Sequence, residues 1–301
     1  LIPMEHHHHG AVKNIKLAFF LNLSFTIIEF IGGALTNSTA ILADAVHDLG
    51  DSIALGQAWY FESLTHKNGS KRYTFGYKRF TVVGALVSTL ILIVSSAYVL
   101  TEAIPRLLNP QQANAEGMLL LAVLGVAVNS IAVFRLSKDT GINARVVKLH
   151  LLEDALGWMA VLVVAIVLMF KDIPILDPIL AILITLYILT GVVKNLKKVI
   201  AILLQATPDK INIEQLEGDI KALKLVNDAH HLHIWSLDGE EHVLTIHLVV
   251  RNKLNPSEYA ELKQQVKSII RSEGVFHSTI EIEWPGELCG IDDTGHNRCR
   301  Q

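Results

Sequence analysis

The sequence predicts a two-part chain: an all-α bundle of six transmembrane spans, residues 12–205, followed by a small α+β domain, residues 206–286. Three observations carry this. Apolar residues make up 51% of the 301 positions and crowd ahead of residue 205, giving a mean hydropathy of +0.40. They form stretches of about 20 residues, the length a helix needs to cross the hydrocarbon core. Beyond residue 206 the pattern changes to short amphipathic helices and alternating strands. The net charge of −3 offers no basic surface for a nucleic acid.

The spans are expected at 17–35, 40–61, 81–103, 117–136, 146–170 and 174–193. Lys and Arg are placed alternately between them. The 2–3 loop holds Lys67, Lys71, Arg72, Lys78 and Arg79, and the 4–5 loop holds Arg135, Lys138, Arg145 and Lys148. Lys13 and Lys16 precede the first span, and Lys194, Lys197 and Lys198 follow the last. The opposite loops carry only Arg106 and Lys171. Basic residues stay in the cytoplasm, so both termini are predicted to be cytoplasmic.

Few ionisable residues fall inside the spans. An acid at the centre of a bilayer costs at least about 2.5–3.5 kcal/mol on insertion scales, so each one calls for a function. The first span carries Asn22 and Glu29, and the second carries Asp44, His47, Asp48 and Asp51. The fifth carries His150, Glu153 and Asp154, and the sixth opens with Asp177-Pro178, expected at the outer interface. His47 and Asp51 are four apart, as are His150 and Asp154, so each pair shares one helix face. Imidazole nitrogen with carboxylate oxygen at four positions suits a tetrahedral zinc site. The alternative is that these groups merely hydrogen-bond one another, which two matched pairs on separate spans make less economical. Asp48 and Glu153 are candidates to orient the histidines or line the approach, and Asp44 to lie on the permeation path.

The C-terminal domain reads α-β-β-α-β: a helix at 213–223 after a Pro208-Asp209 turn, strands at 227–237 and 241–250 joined by Asp238-Gly239, a helix at 256–271, and a strand at 279–284. That order fits a small ferredoxin-like open-faced sandwich with its helices on one sheet face. The strands concentrate His230, His231, His233, His242, His247, His277, Glu281 and Glu283. Alternation places His231 and His233 on one face and His230 on the other. A second metal site is expected here, with its ligand set open.

Both ends stand outside the two domains. Residues 1–11 form a tail in which His6–His9 are either a tag remnant or a metal-collecting run, and they do not read as a secretion signal. Residues 287–301 form a mobile tail holding Cys289, His296 and Cys299, whose thiols are expected free and reduced. A membrane metalloenzyme is disfavoured, because there is no HExxH and four ligands leave no open coordination position.

Four stretches, ADAVHDLGDS at 43–52, RYTFGYKR at 72–79, HLLEDALG at 150–157 and AHHLHIWSL at 229–237, resemble the cation diffusion facilitator family, in its bacterial and animal zinc-transporter branch. The resemblance runs from about residue 12 to 285. It implies a homodimer of six-span subunits, multi-pass in a bacterial inner membrane, in contact with lipid. Such a protein exchanges cytoplasmic Zn2+ for protons and carries a metallochaperone-like cytoplasmic domain. It assigns His47, Asp51, His150 and Asp154 to the transport site. For a regulatory cytoplasmic site it suggests His230, His247 and Glu283, with His233 or His277 as further ligands. Two histidines favour zinc, cadmium (Cd2+) or cobalt (Co2+) over manganese. A manganese or iron exporter of the same fold, and a membrane metal sensor, are the competing readings. Departures from the family are Tyr73 and Tyr77 where some members have histidines, with His66 nearby, a short 4–5 loop without histidines, and Glu153 where a small residue is commoner.

Overall fold

The computed structural model describes residues 8–65, 69–136 and 142–287, without the side chains of 8–15, 17, 58, 61–65, 132, 135–136 and 142–150. The expectations for His6, His7, His66 and the 287–301 tail with its two cysteines therefore lie, wholly or nearly so, outside the described residues, as do the side chains of His8, His9 and His150. The apolar stretches form helices α1 (His8–Thr36), α2 (Thr39–Thr65), α3 (Arg79–Leu108), α4 (Ala115–Leu136), α5 (Ile142–Phe170) and α6 (Leu176–Leu203). Among the described residues, four of them contain a segment long and apolar enough to cross a membrane: Ala18–Thr36, Arg79–Leu108, Leu151–Phe170 and Leu176–Leu203. In α4 the residues described with their side chains include the apolar stretch Ala115–Ile131. Helix α2 falls outside this set because Asp44, Asp48 and Asp51 interrupt its apolar run. Large apolar side chains such as Leu21, Leu35, Val94, Leu183 and Phe170 are exposed on the helices. A surface like this fits hydrocarbon rather than water, and the protein is an integral membrane protein.

The chain divides into two compact units, residues 1–72 with 83–196, and residues 73–82 with 197–301. In the first, α1 packs on α2, α4 on α5, and α2 meets α5. The core gathers Ala40, Ile41, Ala43, Met118, Ala122 and Trp158, all buried. Small residues permit these close approaches. At Gly125 on α4 an added Cβ would lie 2.2 Å from Trp158 Cδ2 on α5, so only glycine lets the indole seat there. Gly125→Val should overpack this contact and destabilise the fold by about 1–3 kcal/mol. Thermal unfolding in detergent checks this, and an unchanged midpoint would refute it.

The second unit contains α7 (Ile213–Lys221), β1 (Val226–Ser236), β2 (His242–Val250), α8 (Pro256–Ser272) and β3 (Val275–Glu283). The sheet order is β1-β2-β3, with β1 antiparallel and β3 parallel to the central β2. The parallel β2–β3 pair needs a crossover, which α8 supplies. Helix α7 is capped by Asn212, whose side chain accepts from Gln215 N, so the helix starts at Ile213. Asn255 and Glu258 form a reciprocal capping box at the start of α8. Leu216 and Ile220 of α7 and Leu262, Val266 and Ile270 of α8 bury against Leu244, Ile246, Leu248 and Val250 of β2. Both helices thus cover one sheet face, and alternation turns Thr245 and His247 to the other.

The segment 73–82, which leads into α3 and includes its first four residues, belongs to this second unit. Lys78 pairs with Glu241 beside the β1–β2 turn. Phe75 sits edge-on to His277 at 5.1 Å between ring centres.

Candidate metal centres

Helix α2 places His47 and Asp51 one turn apart, and α5 brings Asp154 to the same point. His47 Nε2 lies 3.7 Å from Asp51 Oδ2 and 3.7 Å from Asp154 Oδ1. Ligand atoms 2.0–2.1 Å from a tetrahedral zinc stand about 3.3 Å apart, so each of the two His47–carboxylate distances is close to that spacing. His150 precedes Asp154 by four residues on α5, and its side chain lies outside those described.

Further polar groups extend from this point. Asn22 of α1 donates to Asp48 O and to Ser52 Oγ, both at 3.0 Å, and Thr26 Oγ1 lies 3.3 Å from Ser52 Oγ. Glu29, Asp44 and Asp48 are buried. A cavity of about 440 Å³ is lined by Asp44, His47, Glu153 and Asp154, with Leu183 and Tyr187 of α6 on its wall. The Tyr187 hydroxyl donates to Glu153 Oε1.

The start of α2 is held by a group from another helix. Asp177, at the start of α6, is buried within the bundle. Its Oδ1 accepts from Ser38 Oγ at 2.5 Å and from Ala40 N at 3.3 Å. Its Oδ2 accepts from Thr39 N and Thr39 Oγ1, each at 2.7 Å. A carboxylate at a helix N-terminus satisfies orphan amides and complements the helix dipole. The only signal available in advance was an acid in an otherwise apolar segment.

In the C-terminal unit His230, His247 and Glu283 each offer a ligand atom, all within 4.8 Å of one another. His247 Nδ1 lies 2.7 Å from Glu283 Oε1, and His230 Nε2 lies 3.4 Å from Glu283 Oε2. His247 Nε2 is 3.4 Å from Glu281 Oε2. His230 Nε2 is buried and makes no hydrogen bond among the described residues. Two imidazoles and a carboxylate with a buried, unbonded nitrogen are a donor set that fits zinc.

Simple alternation along β1 is corrected here. The register steps from His230↔His247 to His233↔Thr245, so two residues face one, and His231 takes a left-handed backbone with φ of 50°. This bulge turns His230 and His233 to the same face, because their partners His247 and Thr245 share one. The His231 ring still lies 5.2 Å from that of His247. His233 is exposed and stands apart from the close group. His277 pairs with Val243, six residues from Glu283 along β3, or about 20 Å at strand rise. The structure does not bring it to His230, His247 and Glu283.

Helices that pack a ligand-bearing polar seam inside an apolar bundle, joined to a sheet with a second donor cluster, define a membrane protein that handles cations. The chain belongs to the cation diffusion facilitator family: it matches the cation efflux transmembrane domain over residues 15–204 and the cation efflux protein cytoplasmic domain over residues 208–284. It is 34% identical over 284 residues to the cadmium, cobalt and zinc/H(+)-K(+) antiporter of Bacillus subtilis (strain 168), covering 93% of this chain and 91% of that one. It is 33% identical over 306 residues to the zinc transporter ZitB of Pectobacterium atrosepticum, covering 98% and 94%. The metal cation efflux system protein CzcD of Cupriavidus metallidurans is 33% identical over 280 residues, covering 92% and 88%.

Proposed function

We propose that this protein exports zinc, and with it cadmium and cobalt, in exchange for protons, through His47, Asp51, His150 and Asp154 between α2 and α5. The observation that carries the reading is His47 Nε2 standing 3.7 Å from carboxylates of two different helices. The names of the relatives agree with it, since they specify cadmium, cobalt and zinc. A ligating imidazole must be neutral and a ligating carboxylate ionised, so protons and metal compete for the same lone pairs. A free imidazole titrates near 6.5, so acid on the outer side helps release the ion and returns a protonated site. The bundle alternates its access around this point. Its six helices all span the bacterial inner membrane, with both termini cytoplasmic, and two subunits form a homodimer.

Metal-dependent proton flux in proteoliposomes, with zinc, cadmium, cobalt and manganese run in parallel, tests the reading. Zinc, cadmium and cobalt should drive flux and manganese should not. Flux with manganese alone would move the cargo to the all-oxygen metals. Binding without any flux would make the protein a sensor.

His230, His247 and Glu283 form a regulatory zinc site in the cytoplasmic domain, where bound metal draws the two domains of the dimer together and raises the transport rate. His247→Ala should lower the bound-zinc count measured by calorimetry and weaken activation by zinc. An unchanged count would place the regulatory ion elsewhere.

A further inference from the structure

The cavity beside His47 has a carboxylate that the four proposed ligands do not use. Glu153 neighbours Asp154 on α5, lines the same cavity as Asp44, His47 and Asp154, and is exposed. Leu152 and Leu156 of α5 and Leu183 and Ile184 of α6 make the wall around it apolar. An acid in such a setting is costly within a membrane and is retained for a task. It is also held in place. The Tyr187 hydroxyl reaches across from α6 and donates to one Glu153 oxygen. A carboxylate has two oxygens and about four lone-pair sites, so one hydrogen bond fixes its orientation and leaves capacity for a cation.

We propose that Glu153, oriented by Tyr187, is an outer cation-binding position in this cavity, which holds a partly hydrated divalent ion on its way to or from the His47–Asp154 centre. This rests on the reading that the cavity is the metal's path. The carboxylate supplies a formal negative charge and a hard oxygen donor where the leucines and isoleucine around it supply neither. The position lacks an imidazole, so it collects divalent ions with little discrimination. Selection among metals is left to the two-histidine centre. Tyr187 is a positioning residue: it need not touch the ion, and its hydroxyl fixes the rotamer of the acid that does.

The test measures initial transport rates against metal concentration in proteoliposomes for wild type, E153Q, E153D, Y187F and D51A. Removing a unit charge beside a divalent ion, at an effective dielectric of roughly 20, should raise KM by at least about tenfold in E153Q. The rise should be similar for zinc and cadmium. E153D keeps the charge and should lie closer to wild type than E153Q. Y187F removes only a hydroxyl and should raise KM less than E153Q does. An unchanged KM in both E153Q and Y187F, or a loss confined to Vmax, overturns the proposal. So does a KM rise that E153D shares in full, because that would track shape rather than charge. If E153Q does not fold, the Y187F result decides alone. The D51A control separates the two readings: active D51A removes the cavity from the path altogether, whereas inactive D51A with an unaffected E153Q removes only the outer position.

Discussion

Asp51→Ala should abolish zinc-driven proton flux in proteoliposomes. Asp51 is one of two carboxylates within 3.7 Å of His47 Nε2, and its loss leaves the proposed centre with three of its four ligands. Even a group one step removed from a metal costs about 10–100-fold when replaced, so deletion of a direct ligand should exceed roughly 100-fold. Binding and flux should fall together, because the ion and the protons use the same oxygens. Flux within a few-fold of wild type would exclude Asp51 from the mechanism. His47→Ala, which removes the imidazole that links the two helices, should match it.

The second large effect lies at Asp177. Asp177→Ala removes an acceptor from Ser38 Oγ, Thr39 N, Thr39 Oγ1 and Ala40 N in a buried position. Each buried donor left without a partner costs about 1–3 kcal/mol, and several are lost together. Asp177→Asn keeps an acceptor oxygen and should fall between alanine and wild type. Helix α2 carries His47 and Asp51, so a loosened start should also reduce transport. Thermal unfolding in detergent reads the first effect and flux reads the second. A melting midpoint in Asp177→Ala equal to that of wild type would show that the cap is dispensable.

Much of the helical part was legible because its signal is local and long. The apolar stretches give α3 and α4 to within a few residues, and they give α6 with an extension to Leu203. The span count was less secure in α2, where the acids that mark the site also dilute the hydropathy that marks a membrane helix. In the C-terminal domain the α-β-β-α-β order and the turn at Gly239, with its φ of 103°, follow from alternation and a Gly signal. Strand β3 begins four residues before the alternation at Thr279 makes it visible. Its first residues are recruited by pairing with β2, which no local pattern encodes.

The misses at the sites have the same cause. The bulge at His231 has no Gly or Pro to announce it, yet it decides which imidazoles share a face. Asp177 caps a helix that starts 138 positions earlier, a pairing that exists only after the bundle forms. The Glu153–Tyr187 bond joins α5 to α6 across 34 positions. Residue types and spacing identify groups able to bind a metal, and tertiary packing decides which of them meet.

Because residues 73–82 cluster with the C-terminal unit, the polypeptide passes between the units three times, at 72/73, 82/83 and 196/197. The last two of these crossings fall inside α3 and α6, so the boundary of the C-terminal unit does not coincide with the ends of helices. A fragment cut from the C-terminal region alone would leave residues 73–82 behind, and with them the phenyl ring seated against His277.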